Sequence, residues 1–561
     1  MNTKTIALAA AFAAAAAQAV AGDGFDVVVY GSSPAALTAA IQAQDMGASV
    51  VVVSPETRIG GLTTGGLGQT DIGNKAAFGG LALAFYRDIA AWYKDPAHWK
   101  HEKRSSYLPD GQCAGTRGED SMWTFEPSAA LAVLEGWEKK RRLDIRRGER
   151  LDRSPGGVEK KDGRIASFKT LSGKTFRGKV FIDATYEGDL MAAAGVSYAV
   201  GRESNATYGE TLNGIQRKHA KHHQFRAKIS PYVKKGDPSS GLLPGVEPFD
   251  PSEKDGDGDR RVQAYCFRMC LTDAPDNRIP FAKPEGYREA DYELMLRDLE
   301  AIPPDSLKKK GGLRAAMPWI NSRMPNRKTD TNNRGAFSTD FIGRNWSWPE
   351  ASYEEREKML KAHLKHQKGF LWTLANHPRV PRAIRREASR WGTCRDEFAD
   401  GPGDGWQTQL YVREARRMKG EYVMTEADCR GKAPTPKPVA MGAYTMDSHH
   451  VRRTVGKDGY VRNEGDVEVK TGVKAYPIAY GAIVPKKEEC GNLLVPVCLS
   501  ASHIAFGSIR MEPVFFALGQ AAGAAAAIAA KDGSAVQDVP YGKLEKTLVD
   551  AGQAIGIAKA K

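Results

Sequence analysis

The chain has 561 residues, 41% of them hydrophobic and 26% charged, with a formal net charge of +14 and seven cysteines. Seven cysteines at this length exclude a disulfide scaffold, and the length calls for a sizeable core and two domains. Basic residues are scattered among acids apart from short runs at 139–142 and 308–310; they read as solvated faces with a modest lean toward anionic ligands, and no nucleic-acid motif accompanies them.

Residues 1–21, MNTKTIALAAAFAAAAAQAVA, hold one basic residue (Lys4), an Ala-rich run and small residues at Ala19 and Ala21. This predicts a secretory signal peptide cleaved after Ala21 and a periplasmic or secreted protein; the run is short and weakly flanked for a transmembrane anchor. No later stretch is expected to span a membrane: residues 519–530 are Ala-rich but include Gln520 and read as a buried helix.

Residues 26–61 follow. The apolar run Val27, Val28, Val29 breaks at Gly31, a small-residue helix comes next, and a second apolar run occupies 50–53 after Gly47. Such a strand–turn–helix–strand unit is sized for a dinucleotide pyrophosphate at a helix N-terminus. The G-x-G-x-x-G pattern reads Gly31-x-Ser33-x-x-Ala36, and the acid expected about 20 residues on is replaced by Ser54. Gly31 supplies the bend, Ser33 and Ala36 are small enough for close approach, and Ser33 adds a hydroxyl donor. The run RIGGLTTGGLG from Arg58 to Gly68 brings backbone close to a ligand; Ile and Leu between its glycines argue against a merely flexible loop.

Helices are expected over 84–94 and 126–143, the second with Pro127 in its first turn, and an antiparallel ribbon over 142–174. Residues 179–182 form a strand leading into another small-residue helix. Between about 215 and 438 the texture turns to polar loops, Pro-rich turns and amphipathic helices, one opening with the capping box Ser352/Glu355. Apolar character returns at 476. The expected architecture is α/β: a signal peptide (1–21), a Rossmann-like domain built from 22–214 and 476–561, and an inserted α+β substrate or cap domain (215–475).

Cys266 and Cys270, four apart, share one face if their run is a strand, and read as buried small hydrophobes rather than a bridge. No C-x-x-C or zinc spacing occurs, and no metal site is expected. The acids from Asp255 to Asp259 resemble the start of a calcium loop, but its twelfth position is Cys266, which makes it an ordinary turn. His219, His222 and His223 form a polar surface tract.

In residues 500–524, Pro513 suits the first position of a helix with Glu512 at its cap. The positive helix end favours negative charge, and Ser500, Ser502, His503, Ser508 and Arg510 around it argue against a plain buried helix.

The stretches GSSPAA, RIGGLTTGGLGQTD, FEPSAALAVLEGW, FIDATYEGDLMAAAGV, GETLNGIQ, MDSHHV and NLLVPVCLSASHIAFGSIRMEP with GQAAG resemble the secreted FAD-dependent oxidoreductases of the glutathione-reductase-like flavoprotein superfamily. The resemblance covers nearly the whole mature chain; some members carry a xanthan-lyase label. It implies a glutathione-reductase-type fold with FAD extended under the Gly31 turn and its ring near residues 60–66 and 508–512. The implied cofactor contacts are Gly31, Ser33, Pro34 and Ala35; Arg58, Gly60, Gly61 and Leu62; Asp183 and Ala184; and Ser508, Arg510, Met511 and Glu512. Where that superfamily usually has Glu, this chain has Ser54, so either Ser54 or Glu56 takes the ribose contact.

Only one dinucleotide turn is visible and none for NAD(P)H, so electrons are expected from the substrate or a redox partner, with oxygen or a redox partner as acceptor. Flavin oxidation of an alcohol or amine needs a base for the proton. The candidates are His449, His450 and His503, with Asp447 to orient a histidine and Arg413, beside Arg416 and Arg417, to hold an anionic substrate. A hydrogen-bonded structural histidine and an Arg-rich solvated helix are the bland alternatives. The expected function is an exported FAD-dependent oxidoreductase moving hydride between flavin and a small polar, anionic or sugar-like molecule. Two other classes remain: a non-redox lyase or isomerase using the flavin fold on carbohydrate, and a binding protein that has lost FAD.

Overall fold

The computed structural model describes residues 24–114, 119–469 and 472–556; the expected export segment lies outside the described residues. The two apolar runs form strands β1 (Phe25–Tyr30) and β2 (Val50–Val53), joined through helix α1 (Pro34–Asp45). Pro34 opens α1, where its missing N–H and fixed φ are at no disadvantage. Strand β3 (Asp144–Arg146) pairs parallel to β2, β4 (Thr175–Asp183) parallel to β1, and β5 (Leu493–Leu494) parallel to β4. The parallel order is β3-β2-β1-β4-β5, so a strand near residue 493 extends a sheet begun at residue 25.

Alternate residues of these strands enter two different cores. Val27, Val29, Val180 and Ile182 pack with α1, while Val28, Tyr30, Val53 and Phe181 pack with Phe168, Leu190 and Met191. Burial on both faces explains why the strands read as unbroken apolar runs.

Helices Gly80–Trp92 and Pro127–Arg141 lie where expected, within a few residues. The ribbon expected over 142–174 is shorter: Val158–Lys161 pairs antiparallel with Arg164–Lys169, which pairs with the first half of β4. Residues 144–146 leave it for the parallel sheet, because a strand returning through a helix meets its sheet in the parallel sense.

Helices α2 (His503–Ile509) and α3 (Glu512–Asp532) close the chain's core. By length and composition α3 could cross a membrane, yet its most apolar window is wholly buried. A Cβ on Gly519 would fall 2.3 Å from Ala35 O and one on Gly523 2.2 Å from Ala39 O, so only glycine lets α3 lie on α1. Thr38 Oγ1 fastens the crossing to Phe516 O at 2.8 Å.

A second sheet, antiparallel throughout, runs in the order Trp319–Met324, Lys328–Asn333, Met269–Thr272, Gly392–Cys394, Arg278–Ile279. The helix Tyr353–Asn376 beside it opens with the expected capping box. All seven cysteines are buried and unbridged. The strand expected to carry both Cys266 and Cys270 begins at Met269. Cys266 therefore faces Arg413, while Cys270 faces Cys394 with the sulfurs 3.7 Å apart.

Candidate functional site

Strand order reverses around β1: α1 leads to β2 on one side, and β4 lies on the other. A crevice at the carboxyl ends of the strands, at such a switch point, is where doubly wound sheets bind ligands. A cavity of about 530 Å³ opens there, bounded by Tyr30, Glu56, Arg150, Thr185, Tyr353 and Arg356 among others. Gly31, at φ +142°, admits no side chain, since a Cβ would meet Ala184 O at 2.5 Å. Ser33 donates its hydroxyl to the same carbonyl at 2.6 Å, so the extra donor expected from it serves the fold. Pro34 and Ala35 follow at the start of α1, both buried and with little side chain to obstruct the positive helix end.

Beyond β2, Ser54 is fully buried and its hydroxyl donates to Glu56 O at 2.7 Å. It shapes the turn, and of the two residues left open for ribose it is Glu56 that lines the cavity, 4.0 Å from Arg150. Arg58 clasps the next loop: Nε donates to Thr64 O at 3.0 Å and Nη1 pairs with Asp400 at 2.9 Å. In that loop Gly60 N donates to Ser32 O at 2.7 Å, and Leu62 N, next to Gly61, donates to Tyr186 Oη at 3.0 Å. The loop is pinned rather than flexible.

After β4, Ala184 N returns to Tyr30 O at 2.8 Å. Asp183 accepts from Thr185 N at 3.0 Å, Thr185 Oγ1 at 2.6 Å and Met191 N at 2.8 Å; burial pushes its carboxyl up to about 6. The carboxylate holds its own loop.

At the other end of the chain, Ser508 donates to Tyr444 O at 2.6 Å. The cap of α3 is Met511, one residue earlier than expected, and Glu512 is the first helical residue. Glu512 accepts from Thr63 Oγ1 at 2.7 Å and Tyr186 Oη at 2.9 Å, which draws the glycine loop, the β4 loop and α3 together.

Arg510 Nη1 donates to Tyr411 Oη at 2.8 Å, and three guanidiniums surround that ring: Arg413 at 4.6 Å, Arg510 at 5.8 Å and Arg268 at 5.9 Å. Arg510 Nε is buried with no hydrogen-bond partner. Arg413 meets Tyr411 from two residues away, but Arg268 and Arg510 come from distant segments, so nothing local in the sequence announces the cluster.

The candidate histidines fall in three environments. His449 Nδ1 lies 2.9 Å from Asp340, and Nε2 lies 3.9 Å from Asp447. Asp340 also pairs with Arg413 at 2.9 Å, and Asp447 lies 3.5 Å from Arg510. His450 Nε2 faces the carbonyls of His222 and His223, each at 3.2 Å, so the tract expected at the surface partly covers a buried histidine. His503, at the start of α2, has Nδ1 2.7 Å from Glu414, which also accepts from Arg417 and Gln263 at 2.9 Å. Burial raises the Glu414 carboxyl, and His503 and Arg417 more than reverse that, leaving it below the usual range.

Residues 413–417 are not a solvated helix. Arg416–Met418 is a strand paired with Tyr198–Val200, and Arg413, Arg416 and Arg417 are all buried on carboxylates. Arg413, expected to hold an anionic substrate, is occupied by Asp340, Ala264 O and Cys266 Sγ.

The switch-point crevice, the Gly31 turn and the open start of α1 define a nucleotide-binding protein of Rossmann-like type, and the orphaned Arg510 donor near α3 suits an acceptor-rich cofactor. The chain belongs to the FAD-dependent oxidoreductase family, whose model matches residues 26–548. No curated protein matches it at a significant level. Similar solved structures include AlpK, with a TM-score of 0.23 and 16% identity over 32% of this chain and 35% of that one. A flavin-containing monooxygenase from Stenotrophomonas maltophilia has a TM-score of 0.18 and 18% identity over 33% of this chain and 44% of that one. Bacillithiol disulfide reductase from Staphylococcus aureus has a TM-score of 0.16 and 15% identity over 28% of this chain and 37% of that one. Each match spans less than half of the solved chain, and likenesses this low bear on neither substrate nor reaction.

Proposed function

We propose that the chain is an exported, glutathione-reductase-type flavoenzyme that transfers hydride between FAD and a small polar substrate, with His449 handling the proton. The observation that carries the reading is the alternating row Arg413, Asp340, His449, Asp447, Arg510 beside Tyr411. Burial raises Asp340, but Arg413 and His449 bring it well below the usual carboxylate range, so it is ionised and Nδ1 of His449 carries the proton. Burial, then Arg413, pushes His449 down to about 3, so the resting ring is neutral, with Nε2 facing Asp447 at 3.9 Å. A neutral imidazole of fixed tautomer can accept a substrate hydroxyl proton at Nε2.

FAD, when bound, supplies the hydride acceptor. Glu56 would hold its ribose, the Gly31–Ala35 turn its pyrophosphate and the free Arg510 Nε an acceptor of its ring, with Tyr411 beside the reacting end of the substrate. The single dinucleotide turn of the sequence is the ground for taking the substrate or a redox partner as electron source, with oxygen or a redox partner as acceptor. The composition of residues 1–21 supports export, and the change of texture from about 215 to 438 supports an inserted cap over 215–475.

The test is His449→Gln in FAD-loaded protein, followed by flavin bleaching with a panel of sugar acids and polyols. FAD content should hold while reduction slows by about 10²–10⁴-fold. An unchanged rate removes His449 from the reaction.

A further inference from the structure

We propose that a second cavity, of about 380 Å³ beside the helix Tyr353–Asn376, binds the carboxylate of a sugar-acid-sized molecule through Arg453, Arg344 and Lys365. The site rests on charge bookkeeping. Buried arginines elsewhere in the chain have acids: Arg202 pairs with Glu464, Arg356 with Asp189 and Arg417 with Glu203. Arg453 is only 6% exposed, yet among the described residues no carboxylate pairs with it. Its Nε donates to Asn463 Oδ1 at 3.0 Å and its Nη2 to Ala336 O at 2.8 Å, and the guanidinium lies 5.1 Å from the Phe337 ring and 5.7 Å from the Phe225 ring.

Neutral acceptors and rings do not balance a buried charge, which is costly without a counter-ion. Burial, and then the neighbouring Arg344, push Arg453 down to about 10, the direction an uncompensated cation takes. Arg344 lies over Phe341 at 5.8 Å, and among the described residues neither it nor Lys365 has a carboxylate partner.

The acids of the same cavity are already occupied. Asp291 is held by Arg288, and Asp340 by Arg413 and His449. Asp298, which also acts on Arg453, is held by Arg226. Three cations thus converge on one cavity without a counter-charge, and two of them are guanidiniums, whose forked donors match a carboxylate.

The walls suit the rest of such a molecule. Tyr287 and Tyr292 stack at 5.2 Å to form an aromatic side, and the volume falls in the range of about 300–1,000 Å³ typical of small-molecule sites. His366 Nε2 is buried with no partner and lines the cavity, a ready contact for a hydroxyl. Asp340 borders this cavity and touches His449 on its other side. Binding here stands on its own geometry and is read separately from flavin reduction.

The test is calorimetric titration of the full-length, FAD-loaded protein with D-glucuronate, with D-glucose as the neutral control. Glucuronate should bind and glucose should not. Arg344→Gln and Lys365→Gln, both at exposed positions, should each weaken glucuronate about tenfold or more, with the flavin spectrum unchanged. Arg453→Gln should abolish binding; if that variant does not fold, the two exposed variants decide. Glucuronate binding no tighter than glucose, or equal binding by wild type and both exposed variants, overturns the site.

Discussion

Tyr186 Oη donates to Glu512 Oε1 at 2.9 Å and accepts from Leu62 N at 3.0 Å, so one phenol ties the β4 loop to both the glycine loop and the start of α3. Thr63 closes the second carboxylate oxygen at 2.7 Å. The junction joins the two ends of the chain at the place where the flavin ring is expected, and Glu512 is 4% exposed.

Burial pushes Glu512 from 4.5 up to about 7. The unfolded chain therefore loses this proton first, and stability falls as pH rises from the lower value through the higher. The slope approaches about 1.4 kcal/mol per pH unit, of order 3 kcal/mol across the window. Glu512→Gln should flatten the Tm profile between about pH 5 and pH 8. An unaltered slope would show that this carboxyl does not titrate in the folded protein.

Gly31→Ala places a methyl 2.5 Å from Ala184 O. Overpacking of this kind costs about 1–3 kcal/mol, and it moves β1 against β4 at the crevice. Lower Tm and fewer flavins per chain are expected. Ser33→Ala, which loses only the bond to Ala184 O, should cost about 1 kcal/mol and retain FAD. Loss of FAD from Ser33→Ala alone would mean that the hydroxyl serves the pyrophosphate after all.

Gly519→Val should separate α3 from α1, because even a Cβ there meets Ala35 O at 2.3 Å. The expected result is a Tm drop of several degrees or insoluble protein, for a cost of about 3 kcal/mol or less. Wild-type stability would contradict the close crossing.

His503 and His449 can be separated kinetically. His503 is bound to Glu414 within the Arg417–Glu203 network, and it reaches His449 only through Gln263, which donates to Glu414 and accepts from the His449 backbone. His503→Gln should retain FAD and slow flavin reduction by no more than about tenfold, against about 10²-fold or more for His449→Gln. The reverse order would make His503 the base.

Much of the fold is local and legible in the sequence. The strand–turn–helix–strand unit, the Ser352 cap and the buried Ala-rich helix follow from periodicity, capping residues and small side chains within a few positions. Strand β3 is not legible, because its place is set by the open edge of β2. The site is legible only as residue types. His449 was a candidate for its neighbours in sequence, but Asp340, which fixes its tautomer, lies 109 residues away. Arg413, Arg416 and Arg417 read as a clamp for an anionic substrate or else a solvated helix, since nothing nearby announces that Asp340, Asp189 and Glu203 will bury them. Arg453 carries no local signal at all; its distinction is the acid that it lacks.

The most direct measurement is the visible spectrum of the FAD-loaded protein, followed anaerobically while sugar acids and polyols are added one at a time. The flavin band should bleach with at least one of them and return on admission of oxygen or an electron acceptor. A carbohydrate consumed while the flavin stays oxidised throughout would contradict hydride transfer and make the flavin a structural part of a non-redox enzyme.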